Sequence, residues 1–103
     1  MNKLSRINKN TDQLFRAILQ LRTIDEARMF FCDLLTPQEV NEFANRWKVA
    51  QLLSKKVPYS TIEKETGMSS TTIARVNKYL TGKFGGYKAM INKTQNNNHH
   101  APV

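Results

Sequence analysis

Ile62-Glu63-Lys64-Glu65-Thr66-Gly67-Met68-Ser69-Ser70-Thr71-Thr72-Ile73-Ala74-Arg75-Val76 reads as a short helix, a glycine turn and a second helix with a polar face. That is the pattern of a helix-turn-helix. Ile62 lies five residues before Gly67, and Ile73 and Val76 lie six and nine after it, offsets that let two helices pack across a sharp bend. Gly67 supplies the left-handed backbone that ends the first helix without a Cβ clash. Ser69 is placed to cap the amides of the second. Glu63 stands where a small residue usually lets the two helices approach, so its side chain is expected to lean outward.

Read at three- and four-residue spacing, the second helix, over about 70–81, divides into two stripes. Ile73, Val76 and Leu80 form the inner one. Thr71, Ala74, Arg75 and Lys78 form the outer one, with Ser70 at its N-terminal edge and no acidic residue. A small, hydroxyl-rich, basic face suits a major groove. Alanine lies close to base edges, serine and threonine donate to phosphates, and arginine forks onto guanine. The residues this reading assigns to DNA are Ser69, Ser70, Thr71, Thr72, Ala74, Arg75, Lys78 and Lys83. The competing reading is an ordinary amphipathic surface helix.

Charge distribution points the same way independently. Residues 1–45 hold six basic and six acidic residues, whereas residues 46–103 hold ten basic and two acidic ones, so the formal charge of +8 falls in the half that carries the helix pair. After Glu65 there is no acid, while Arg75, Lys78, Lys83, Lys88 and Lys93 follow; a polyanion reaching this end meets only attraction. An anionic membrane would need a bulky apolar face beside the charges, which the outer stripe lacks.

Outward from this segment, Ser/Thr-x-x-Glu pairs predict helix starts at Thr23 with Glu26, Thr36 with Glu39, and Ser60 with Glu63, the second reinforced by Pro37. Helical periodicity links Leu14, Phe15, Ile18 and Leu21; then Ala27, Phe30, Phe31, Leu34 and Leu35; then Val40, Phe43, Ala44, Trp47 and Ala50. Pro58 is expected to stop the third of these helices, and Gly82, Gly85 and Gly86 to break the chain before a last turn of helix over 87–91. The reading is an all-α chain of about six helices. A flexible arm spans 1–9, the helical domain 10–93, and a disordered polar tail the Gln/Asn-rich 94–103.

Other chemistries find no residues. The sequence has no nucleophile placed with a base, no carboxylate pair and no phosphate loop, so an enzyme is not expected. No cofactor is expected either. His99 and His100 stand apart from any Asp, Glu or Cys, which argues against a metal site. Cys32 reads as a small buried hydrophobe, its solitary state matching a reducing cytoplasm. No apolar run is long enough to cross a bilayer and Met1 to Asn10 is polar, so neither a membrane span nor a secretory leader is expected.

The N-terminal helices carry more apolar surface than a short chain can cover; Leu19 and Met29 lie off the main stripes. A homodimer follows from this surplus. It would also place two reading helices about 34 Å apart on a palindromic operator.

The run Leu35-Thr36-Pro37-Gln38-Glu39, Arg46 in the long helix, and Gly67 to Leu80 with Thr72-Ile73-Ala74-Arg75 together resemble the bacterial tryptophan repressor, and more closely the YerC/YecD branch of Trp-repressor-like proteins. The resemblance covers roughly residues 10–91. It implies an interlocked all-helical homodimer, a cytoplasmic, nucleoid-associated regulator of transcription, and a pocket in which an indole lies between arginines matching Arg46 and Arg75, near Thr36. A glycine and a serine of that pocket are replaced here by Val76 and Tyr79, which would fill the volume a ring needs. The resemblance therefore implies a repressor-like protein that does not depend on tryptophan, its effector, if any, unidentified. Arg75 retains two roles, DNA contact or pocket wall, and a protein-interaction adaptor and an architectural DNA binder stand as alternatives.

Overall fold

The computed structural model describes residues 7–100, with side chains described through Gln95. Six α-helices follow in order, with no strand among the described residues: α1 Lys9–Ile18, α2 Ile24–Leu34, α3 Pro37–Ser54, α4 Tyr59–Thr66, α5 Ser70–Leu80 and α6 Gly86–His100. The chain forms two compact units, one reaching to Glu42 and the other beginning at Phe43.

In the first unit, α1 starts earlier than expected. The side chain of Asn8 accepts the Thr11 amide at 3.0 Å, while Thr11 Oγ1 accepts the Asn8 amide at 2.8 Å. This reciprocal cap takes Asn8 and Lys9 out of the expected arm of residues 1–9, whose first six residues lie outside the described ones. Leu21, expected on the α1 stripe, follows the helix end. Thr23 caps α2 by accepting the Glu26 amide at 3.0 Å, but the Glu26 carboxylate accepts from Arg22 rather than from Thr23. At α3 the box closes on itself: Thr36 Oγ1 accepts the Glu39 amide at 3.1 Å and Glu39 accepts the Thr36 amide at 2.9 Å.

Neither α1 nor α2 contains a buried residue. Leu19 is 80% exposed, Ile24 65% and Met29 63%. Phe30 and Phe31, whose rings meet edge to face at 5.5 Å, are half-buried. Cys32 is exposed, contrary to the expectation of a buried hydrophobe, on a helix none of whose residues is fully buried among the described ones.

The buried core belongs to the second unit. Val49, Ala50 and Leu53 from α3, Ile62 from α4, Ile73, Val76 and Leu80 from α5, and Ile91 from α6 form one cluster, edged by Trp47, Leu52, Val57, Met68 and Tyr87. Trp47 and Tyr87 stack at 6.4 Å. Helix α3 ends four residues before Pro58 rather than at it. The amide of Lys56 donates to the Leu53 carbonyl at 2.9 Å and that of Val57 to the Leu52 carbonyl at 3.1 Å. These paired bonds close a Schellman turn, with Lys56 in the left-handed conformation at φ 66.

Two further expectations are corrected. Ser60 does not cap α4: the cap position is Pro58, with no side-chain bond. The Pro58 carbonyl already accepts the Thr61 and Ile62 amides, so Ser60 lies inside the first turn, too late to cap it. Helix α6 also runs well beyond residue 91 and through 94–100, where a disordered tail was expected. Ile91 fixes the helix to the core, and elongating a nucleated helix costs little where glycine and proline are absent until Pro102. Residues 101–103 lie outside the described ones.

Candidate nucleic-acid interface

The turn between α4 and α5 is fixed by three separate devices. Gly67 adopts φ 72, and its amide donates to the Glu63 carbonyl at 2.9 Å. Thr66 Oγ1 donates to the Ile62 carbonyl at 2.7 Å and accepts the Met68 amide at 3.2 Å, tying both sides of the glycine together. Ser69 Oγ accepts the Thr72 amide at 3.2 Å and donates to Thr72 Oγ1 at 3.1 Å. Only the first and third were legible as turn signals in the sequence. Thr66 was missed, because a threonine at a helix end has many uses and only the fold shows which one it takes.

Packing then sets the orientation of α5. Ile62 and Ile73 are fully buried where the two helices meet, and Val76 and Leu80 continue the inner stripe. What remains outside is the expected outer face: Ser70, Thr71, Ala74, Arg75 and Lys78 are all exposed. Among the described residues no ion pair engages Arg75 or Lys78. The face therefore keeps its donors and cations turned to solvent. Glu63 is exposed as well, in the outward pose expected for a charge at that position.

The remaining candidates fall into different settings. Ser69 and Thr72 spend hydroxyl capacity on each other and on the cap, so their part in the interface is first to place α5. Lys83 is exposed in the loop after α5. The start of that loop is tight, since a β-carbon on Gly82 would lie 2.9 Å from the Lys78 carbonyl oxygen. Thr81 Oγ1 donates to the Asn77 carbonyl at 3.1 Å.

Each residue expected to line a pocket has its own local setting. Thr36 belongs to the first unit, where its hydroxyl caps α3. Arg46 is exposed, its guanidinium carbon 5.6 Å from the centroid of the Phe43 ring. Val76 is only 3% exposed and packs within the core, and Tyr79 is half-buried beside the Arg75 face. Among the described residues no cluster of three His, Cys, Asp or Glu side chains is placed to hold a metal ion, and no helix is long and apolar enough to cross a membrane.

Comparison with known proteins places this geometry in a family. The model of the Trp repressor protein family matches residues 9–95. The uncharacterized protein YerC of Bacillus subtilis (strain 168) is 38% identical over 87 residues, covering 84% of each chain. Among solved structures, a TrpR-like protein from Eubacterium eligens ATCC 27750 is similar with a TM-score of 0.82 and 38% identity, over 92% of this chain and 96% of that one. A candidate Trp repressor from Staphylococcus aureus gives a TM-score of 0.84 at 33% identity, over 92% and 95%.

Proposed function

The chain belongs to the Trp repressor family, and from that premise we propose that it is a homodimeric, sequence-specific DNA-binding regulator of transcription, a repressor that acts by occupying a palindromic operator. The observation that carries this reading is the outer face of α5. It is exposed and acid-free, with no ion pair on Arg75 or Lys78 among the described residues, on a helix whose entry turn is held by three sets of hydrogen bonds. Ser70, Thr71 and Ala74 supply the small, polar N-terminal part that approaches base edges, Arg75 a bidentate donor, and Lys78 and Lys83 cations for phosphates.

The dimer is proposed from the first unit. Among the described residues, helices α1 and α2 contain no fully buried side chain, yet Phe15, Leu19 at the end of α1, Ile24 and Met29 stand at the surface. A second copy covering these side chains would bury the apolar area that one chain leaves in water.

Independence from tryptophan is proposed from Val76. Val76 is buried in one core cluster with Ile73 and Leu80, so α5 is seated by the protein's own side chains and no ligand is needed to seat it. The regulator would act in the cytoplasm on nucleoid DNA. Selecting bound sequences from a random duplex pool tests the whole reading. A recovered palindrome with two half-sites about one helical turn apart is expected. Absence of duplex binding at low salt would favour a protein-interaction adaptor, and binding without sequence preference an architectural role.

A further inference from the structure

The turn joining α3 to α4 carries a charged pair outside the residues so far assigned to DNA. Lys55 and Lys56 are consecutive and exposed, and among the described residues no ion pair engages either. Their backbone is firmly mounted. The Schellman bonds tie Lys56 and Val57 to the carbonyls of Leu53 and Leu52, the first a core residue and the second packed against the core. Two residues later Pro58 opens α4, whose Ile62 is fully buried. The lysines thus ride on the same core that holds α4 and α5.

Lys56 also occupies φ 66, a conformation that strains an L side chain and leaves glycine unstrained. The hydrogen bonds that close the turn use only its backbone. A cation is carried there at a conformational cost.

We propose that Lys55 and Lys56 form a second anchoring point for DNA, gripping the sugar–phosphate backbone beside the groove that α5 enters. This rests on the DNA-binding reading above and extends its contact surface. In a helix-turn-helix the first helix crosses the backbone while the second enters the groove, so the segment leading into α4 arrives at phosphates. Lysine suits that role, being a mobile point charge that binds phosphate oxygens without reading bases. Tyr59 and Ser60, exposed at the start of α4, add hydroxyls of the kind that bind the same oxygens. The nearest acids along the chain, Glu63 and Glu65, lie further into α4 with Lys64 between them. In a dimer the two turns would clamp the duplex outside both half-sites and fix the register of the reading helices.

The test uses the full chain with Lys56→Gly, Lys56→Arg and Lys55→Gln, titrated onto a selected duplex and a random duplex over a range of salt. Lys56→Gly keeps the left-handed turn while removing the charge. It should raise the thermal midpoint yet weaken both duplexes alike, by roughly 3- to 10-fold at low salt, with the logarithmic salt slope reduced by about 1 to 2 per dimer. Lys55→Gln should weaken both duplexes in the same way without altering the turn or the thermal midpoint, and Lys56→Arg should bind as the wild type does. Unchanged affinity and slope in both charge-removing variants would overturn the proposal while leaving the DNA reading intact. A loss confined to the selected duplex would overturn it too, by making the lysines base readers. Failure of the wild type to bind either duplex would remove the DNA reading itself, and this clamp with it.

Discussion

Thr66 Oγ1 donates to the Ile62 carbonyl oxygen, one helical turn back, at 2.7 Å and itself accepts the Met68 amide at 3.2 Å. One hydroxyl therefore closes the end of α4 and holds the first residue beyond Gly67. Ile62 is fully buried, so this bond links the turn directly to the core. Replacing Thr66 with Val keeps the volume but removes both bonds. The Met68 amide would be left in a half-buried site, and the expected loss is about 1 to 2 kcal/mol in urea denaturation. Thr66→Ser should recover most of it. Equal stability of the Val variant and the wild type would show that water replaces the hydroxyl.

Arg75 and Lys78 share the exposed face of α5 but should fail differently. Arg75→Ala is expected to cost roughly 1 to 3 kcal/mol of operator binding and to relax preference at one base pair per half-site, whereas Lys78→Ala should weaken every duplex alike. Anisotropy titrations on operator and random duplexes separate the two. Parallel losses on both duplexes for Arg75→Ala would deny it a base-reading role.

Gly82 follows α5 so closely that a β-carbon would sit 2.9 Å from the Lys78 carbonyl, a backbone atom that cannot step aside cheaply. Gly82→Ala should therefore destabilise the protein by about 1 to 3 kcal/mol. Calorimetry checks the stability, and a thermal midpoint equal to that of the wild type would refute the steric argument.

Leu19 and Met29 give the dimer its sharpest test, being 80% and 63% exposed within one chain. Were the chain a monomer, Leu19→Glu or Met29→Lys would change stability by no more than about 0.5 kcal/mol. Under the proposed shared interface each should dissociate the dimer and lower its thermal midpoint in a concentration-dependent way. Sedimentation equilibrium at micromolar protein reads the outcome, and a well-folded wild-type monomer there would end the proposal.

Free tryptophan should leave both thermal midpoint and operator affinity unchanged up to millimolar concentration, because Val76 is packed against protein on its inner side. A rise in either, abolished by Arg46→Ala, would show a working pocket.

The local chemistry of the helix pair could be read from the chain alone. Gly67 requires φ above zero, Ser69 offers a cap, and the seven-residue spacing of Ile73 and Leu80 marks an inner face, all short-range constraints that neighbours in sequence satisfy by themselves. The box at Thr36 and Glu39 was legible for the same reason. Where sequence reasoning failed, a competing partner decided. The Pro58 carbonyl opened α4 ahead of Ser60, and the hydrogen bonds of a Schellman turn held a lysine where glycine would be expected. The anchorage of Ile91 carried α6 through a run of weak helix formers. Val76 could be read as core or as pocket wall, since period alone does not say what lies opposite a side chain. Only the packing of α3, α4 and α6 around α5 assigned it to the core, because burial depends on residues far apart in the chain meeting in space.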